Sequence, residues 1–179
     1  MRPLLAAALL CSLLPAAHAA DLAPDDVQAF LAAHARTAGV TLRSSGLQVR
    51  VLKSGTGRPV APRDTVQIYY TAKLADGRVV DGTSPGLPAP VDLGRTLPGL
   101  GEALQTMRLG DHWELTLPPA LAFGAKGGGG GAIAPNQPLI FDVTVVASMP
   151  TAMGGTGPNN GFSFSSGNGE SHAYFTIHP

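Results

Sequence analysis

Thiols are nearly missing from this 179-residue chain: Cys11 is its one cysteine. It lies in a stretch expected to be removed, and without it no disulfide, catalytic thiol or cysteine-bound metal is available. Charge is equally scarce. Charged residues make up 13% of the sequence and twelve basic side chains balance twelve acidic ones, so no field exists to steer nucleic acid or an anionic membrane. His34, His112, His172 and His178 are scattered, with no i, i+4 pair on a helix and no cysteine beside them. They read as surface histidines, and neither a metal nor another cofactor is expected. One long hydrophobic run occurs, at 4–14, and Pro15 ends it too early to cross a hydrocarbon core about 30 Å thick.

That run is the centre of an export signal. Arg2 supplies the leading charge, residues 4–14 the apolar segment, and Ala17-His18-Ala19 the small residues of a cleavage site. Cleavage leaves a mature chain starting near Ala20 or Asp21, periplasmic or secreted, with no membrane attachment. A lipid anchor on Cys11 is disfavoured because Leu10 stands where a small residue is needed. The remaining length suits one core domain. With 23 glycines and 16 prolines, many turns are expected rather than a helix bundle. The expected organisation is a signal at 1–19, a short helical lead-in at 20–45, a folded domain at 46–148 and a mobile tail at 149–179. The tail is rich in Gly, Ser and Asn between 154 and 169 and cannot bury enough apolar surface to offset its ordering entropy. Within it, residues 162–164 and 173–177 have the pattern of a small hairpin.

Residues 21–39 read as an amphipathic helix, with Pro24, Asp25 and Asp26 in its first turn, Val27, Phe30 and Leu31 on one face, and Gly39 as its stop. From Leu47 the period changes to two. Val66, Ile68, Tyr70, Ala72 and Leu74 share one face of a strand while Gln67, Tyr69, Thr71 and Lys73 share the other, which points Tyr70 inward. Asp76-Gly77 predicts a two-residue hairpin turn with Arg78-Val79-Val80 returning. Leu100, Ala103, Leu104 and Met107 repeat at helical spacing between Pro98 and Gly110, the latter suited to terminating the helix. Trp113, Leu115 and Leu117, then Leu139, Phe141, Val143 and Val145, alternate in two further strands. The fold class is α+β, an antiparallel sheet wrapped on one short helix.

Two motifs are set aside on chemical grounds. Gly82-Thr83-Ser84-Pro85-Gly86 matches the elbow that presents a nucleophilic serine, but the following residue must donate an N–H to the oxyanion and Pro85 has none. It reads as a solvated loop. The glycine run 127–131 satisfies loose phosphate-loop patterns, yet no strand enters it, no helix leaves it, and Lys126 precedes it. It reads as a flexible loop over the sheet.

An ordered succession of fragments over 46–147 carries more information. These are Leu47-Gln48-Val49, Gly55-Thr56-Gly57, Tyr69-Tyr70-Thr71, Asp76-Gly77-Arg78, Val80-Asp81, Leu93-Gly94, Leu97-Pro98-Gly99, Gly101-Glu102-Ala103-Leu104, Met107, Gly110-Asp111, Ala122-Phe123-Gly124-Ala125 and Pro138-Leu139-Ile140-Phe141-Asp142-Val143. In this the chain resembles the FKBP family of peptidyl-prolyl cis-trans isomerases. Its lead-in is similar to that of exported bacterial members related to the macrophage infectivity potentiators. The resemblance implies a strongly twisted half-barrel with proline bound between sheet and helix. It implies proline-containing polypeptides as partners, and macrolide inhibitors bound weakly.

Residue by residue, the resemblance makes Tyr70 and Asp81 the catalytic pair, Ile133 the backbone anchor, Phe141 an aromatic wall and Leu97 the residue under the proline ring. Read without it, Tyr70 and Phe141 are inward core aromatics and Asp81 a turn carboxylate. Four positions depart from the family. Val80 stands for a phenylalanine, Ala89 for another aromatic, Leu100 for a tryptophan floor and Phe123 for a tyrosine. They predict a deeper, less complementary pocket, in which Leu100→Trp would restore affinity. Two functions follow: an isomerase that assists the folding of exported proteins, or a non-catalytic chaperone or peptide-binding module on the same fold.

Overall fold

Alternation of apolar with polar residues commits 64–74 to a long strand buried on one face. A computed structural model of the chain describes residues 22–150 and places that strand inside a seven-stranded antiparallel sheet. The elements are α1 (Pro24–His34), β1 (Val40–Leu42), β2 (Gln48–Lys53), β3 (Asp64–Leu74), β4 (Val79–Gly82), β5 (Ala89–Asp92), α2 (Pro98–Leu104), β6 (His112–Leu117) and β7 (Leu139–Pro150). The sheet order is β1-β2-β6-β7-β3-β4, and β5 follows β4 along the same side of β3. The expected inward faces are the buried ones: Val66, Ile68, Tyr70, Ala72 and Leu74 on β3, Leu115 and Leu117 on β6, Leu139, Phe141, Val143 and Val145 on β7. Together with Leu100, Ala103 and Leu104 of α2 and with Met107 they form one core. Each large side chain so buried contributes about 1.5–3 kcal/mol. Among the described residues no helix is long and apolar enough to cross a membrane.

The lead-in is tied to the outer side of the sheet. Gln48 Nε2 donates to the Leu31 carbonyl at 2.8 Å, and Gln137 clamps Leu22 by accepting from its N–H and donating to its carbonyl. Val27 and Leu31 are buried by this docking. His34 is not the plain surface histidine expected. Its Nδ1 lies 2.7 Å from Gln48 Oε1 and its Nε2 3.7 Å from Glu114 Oε1. The sheet's first strand, β1, falls inside the stretch 20–45 read as lead-in, because Val40 and Leu42 pair with Arg50 and Gln48.

Three local readings are corrected. The turn after β3 is a three-residue one. Gly77 N–H donates to Leu74 O and Leu74 N–H to Arg78 O, and only Gly77, not Asp76, has positive φ. The helix α2 ends at Leu104, and Gly110 takes its left-handed conformation in the turn from Arg108 to Asp111 that leads into β6. The glycine run is a built element and not slack chain: Gly128 exchanges hydrogen bonds with Ile133 at 2.9 and 3.1 Å. The expected tail hairpin and the export signal lie outside the described residues.

Candidate functional site

Strand geometry assembles the site. Tyr70 on β3 faces inward opposite Val143, one step diagonal from Phe141, and the two rings lie 6.0 Å apart at 36°. Diagonal neighbours on one sheet face are within reach of aromatic side chains. Asp81 on the other side of β3 pairs with Ala72, which places its carboxylate where the Tyr70 hydroxyl donates to Oδ2. Thr83 pins the backbone of Tyr70. Its N–H donates to the Tyr70 carbonyl at 2.9 Å, and its hydroxyl accepts from the Tyr70 N–H at 3.1 Å. This residue was missed because it sits in the discarded serine-elbow pattern. Its signal is the strand pairing that extends β4 by one residue.

Tyr70 and Asp81 are 4% and 2% exposed, so both polar groups act in an apolar setting. Burial pushes the phenol of Tyr70 far above its ordinary value, and the bond to Asp81 and its negative charge push the same way. Tyr70 therefore stays protonated at any pH at which the domain works, and donates to a carboxylate.

The other predicted residues divide by depth. Leu97, which precedes Pro98 at the start of α2, is 5% exposed, and Ile133 is 1% exposed. Leu100 and Phe141 have no exposed surface at all. Both belong to the buried cluster that also contains Tyr70. Leu100, read as a leucine in place of a tryptophan floor, has no exposed surface and so lines no open pocket in this structure. Val80, Ala89, Leu109, Leu121, Ala122 and Phe123 are half-buried and pack on the core.

Phe123 owes its place to the glycine run. A Cβ on Gly128 would lie 2.5 Å from its ring, so the ring fits only against a bare backbone. The N–H of Ile133, expected to be the backbone anchor, is donated to Gly128 O, and its carbonyl accepts from Gly128 N–H. Leu97 is the contrasting case, for its N–H makes no backbone hydrogen bond with the described residues. No group of three or more His, Cys, Asp or Glu among the described residues could hold a metal ion.

Fold and site together define an antiparallel sheet packed on a short helix, with a tyrosine–carboxylate pair buried against the apolar core. Residues 56–146 match the family described as FKBP-type peptidyl-prolyl cis-trans isomerase. The chain belongs to that family. It is 40% identical over 125 residues to the outer membrane protein MIP of Legionella longbeachae, which is 69% of this chain and 53% of that protein. It is 41% identical over 118 residues to the FKBP-type 22 kDa peptidyl-prolyl cis-trans isomerase of Escherichia coli K12, 65% of this chain and 57% of the relative. The chain thus spans little more than half the length of these curated relatives. Among solved structures it is similar to FkpA from Escherichia coli, with a TM-score of 0.66 and 31% identity over 70% of this chain and 59% of that one. A peptidyl-prolyl cis-trans isomerase from Pseudomonas syringae pv. tomato gives a TM-score of 0.65 at 30% identity, covering 69% of this chain and 91% of its own.

Proposed function

We propose that this protein catalyses cis-trans isomerisation of X-Pro bonds in exported polypeptides. The observation that carries the reading is the buried Tyr70–Asp81 pair with Phe141 against the tyrosine ring. Rotation about a peptide bond is opposed by amide resonance with a barrier of about 18–20 kcal/mol, and an X-Pro bond takes tens to hundreds of seconds unaided. Water stabilises the planar, charge-separated amide more than the twisted one. A cleft that removes that water, with a few fixed polar groups to hold the twisted chain, lowers the barrier without any nucleophile. An acceleration of about ten-thousandfold needs only about 5.5 kcal/mol.

In this reading Asp81 and Tyr70 set the polarity of the cleft, and Leu97 offers its N–H to a substrate carbonyl. Val80 and Phe123 border the ring, while Ile133, Leu100 and Phe141 hold the walls. Macrolide inhibitors would seat on the same rim, weakly, because Val80 and Ala89 supply less flat surface than aromatics. Export rests on the 1–19 signal pattern, and the name of the Legionella relative, an outer membrane protein, agrees with it. The domain proper is taken as 40–150, wider than the 46–148 read from the sequence because β1 and the end of β7 pair in the sheet. No described feature of the site favours the non-catalytic alternative. Proteolysis-coupled isomerisation of X-Pro tetrapeptides tests the proposal: catalysis above the uncatalysed rate, lost with Asp81→Ala, supports it, and an unchanged rate with folded protein rejects it.

A further inference from the structure

The tyrosine and the carboxylate of the site come from different strands, and β4, which brings Asp81, is paired over a short stretch. Its register against β3 shifts between Ala72 and Lys73, so Val80 is a bulge residue immediately before Asp81. Beyond the bulge Asp81 and Gly82 pair in step with Ala72 and Thr71, and the strand ends at Gly82. β5 takes up the same side of β3 at Ile68, opposite Ala89. Tyr70 therefore faces the gap between the two short strands.

Main-chain groups inside a sheet need partners. In a regular antiparallel pair the N–H and C=O of Tyr70 would meet the C=O and N–H of the facing residue. Thr83 supplies the N–H, which donates to Tyr70 O at 2.9 Å. The acceptor is different. The Tyr70 N–H donates to the Thr83 hydroxyl oxygen at 3.1 Å, and that hydroxyl is a second donor to Tyr70 O at 3.3 Å. A threonine hydroxyl has one proton and two lone pairs, so it serves both main-chain groups at once, and β-branching restricts its rotation. Ser84, the serine of the discarded elbow pattern, is exposed and takes no part in these bonds.

We propose that Thr83 is a positioning residue for the isomerase: its hydroxyl fastens the end of β4 to the backbone of Tyr70 and so holds Asp81, two residues upstream, on the Tyr70 hydroxyl. The inference rests on the isomerase reading. Asp81 lies between a bulge and the end of its strand, so regular pairing alone constrains it little, and the Thr83 clasp closes the stretch on its far side. Tyr70 and Asp81 are both buried and meet in one geometry. A small displacement of either therefore costs turnover and not substrate affinity. Thr83 acts through the pair and not on the substrate.

Thr83→Val keeps the side-chain shape and the backbone N–H and removes the hydroxyl. It should lower kcat for an X-Pro tetrapeptide about tenfold with KM nearly unchanged, and should move or broaden the low-field proton resonance of the Tyr70 hydroxyl bonded to Asp81. Thr83→Ser should restore both. Val66→Ala, a core truncation on the same strand, supplies the comparison: it should lower the melting temperature and leave the resonance and kcat unchanged. In the Asp81→Ala background Thr83→Val should cost almost nothing further, because the hydroxyl it positions has lost its acceptor. Wild-type kcat or an unshifted resonance in Thr83→Val would overturn the proposal. So would an equal loss in the Asp81→Ala background, or a loss that Thr83→Ser does not restore or that Val66→Ala reproduces. If Thr83→Val does not fold, Thr83→Ala carries the same comparisons. Failure of the wild type to turn over the tetrapeptide would overturn the isomerase reading, while the Tyr70 resonance still decides the positioning role.

Discussion

Gly128 is required by its neighbour and not by its own dihedrals. At φ −161° and ψ −170° its backbone is extended and open to any residue. A Cβ there would meet Cδ1, Cε1 and Cγ of Phe123 at 2.5, 2.7 and 2.8 Å, whereas carbon atoms settle at about 3.5–4.0 Å. Gly128→Ala must therefore displace the ring or break the paired bonds between Gly128 and Ile133. Overpacking of this kind costs about 1–3 kcal/mol. For a domain of this size, at about 4 °C per kcal/mol, the melting temperature falls by roughly 4–12 °C. Because Phe123 borders the proposed cleft, kcat/KM for an X-Pro tetrapeptide falls as well. The double variant with Phe123→Ala isolates the cause: once the ring is gone, alanine at 128 should cost little more. Thermal unfolding and peptide isomerisation on the four proteins of this cycle supply the measurement. A Gly128→Ala protein with the wild-type melting temperature and turnover would refute the steric coupling. The same loss in the Phe123→Ala background would refute it equally.

Asp81→Ala removes the acceptor of the Tyr70 hydroxyl; losing a bond to a charged group is worth about 1.5–3 kcal/mol, so kcat/KM should fall about ten- to hundredfold with the circular-dichroism spectrum unchanged. Leu100→Trp should not raise affinity as the sequence implied, since Leu100 is already fully covered; calorimetry should show about 1–3 kcal/mol of lost stability and no tighter peptide binding. Asp64 governs acid stability: the bond from Ser148 holds its carboxyl below the ordinary 3.8, Ala61 N–H and Arg58 add to this, and burial opposes it. The folded value lies below the unfolded one, so this stabilisation is whole above pH 3.8 and disappears as pH falls through the folded value. Urea unfolding of Asp64→Asn across that acid range should show a flatter decline than wild type, and a parallel decline would remove Asp64 from the account.

What could be read from the sequence was whatever depends on short-range periodicity. The strict alternation of β3 announces that Tyr70 faces inward, and the 100, 103, 104, 107 spacing announces the covering helix. What could not be read depends on contacts between distant residues. Nothing near Gly128 says that it is bare because Phe123, five residues back, lies against it. Leu100 against tryptophan looks like a missing floor until the neighbours that fill the space are known. Polar residues look solvated, yet Gln48 on β2 and Gln137 in the loop before β7 are the groups that fasten the lead-in. The hairpin was misassigned for a smaller reason: Asp-Gly is compatible with both turn lengths, and only backbone bonding distinguishes them.

The site is made almost wholly from the core, and this affects how every substitution in it must be interpreted. Leu97, Leu100, Ile133 and Phe141 belong to the same buried cluster that stabilises the sheet on α2, so shortening any of them creates a cavity before it changes chemistry. Loss of turnover in those variants cannot by itself assign a role. Asp81 differs, because a buried carboxylate costs stability unless it is paired. Its presence on an edge strand, bonded to the Tyr70 hydroxyl, is not explained by packing. A dry apolar surface with one fixed polar pair is also what twisting an amide needs and little more. The residues that fold this domain and those proposed to catalyse are therefore the same, except for the carboxylate, whose removal should slow the reaction without loosening the core.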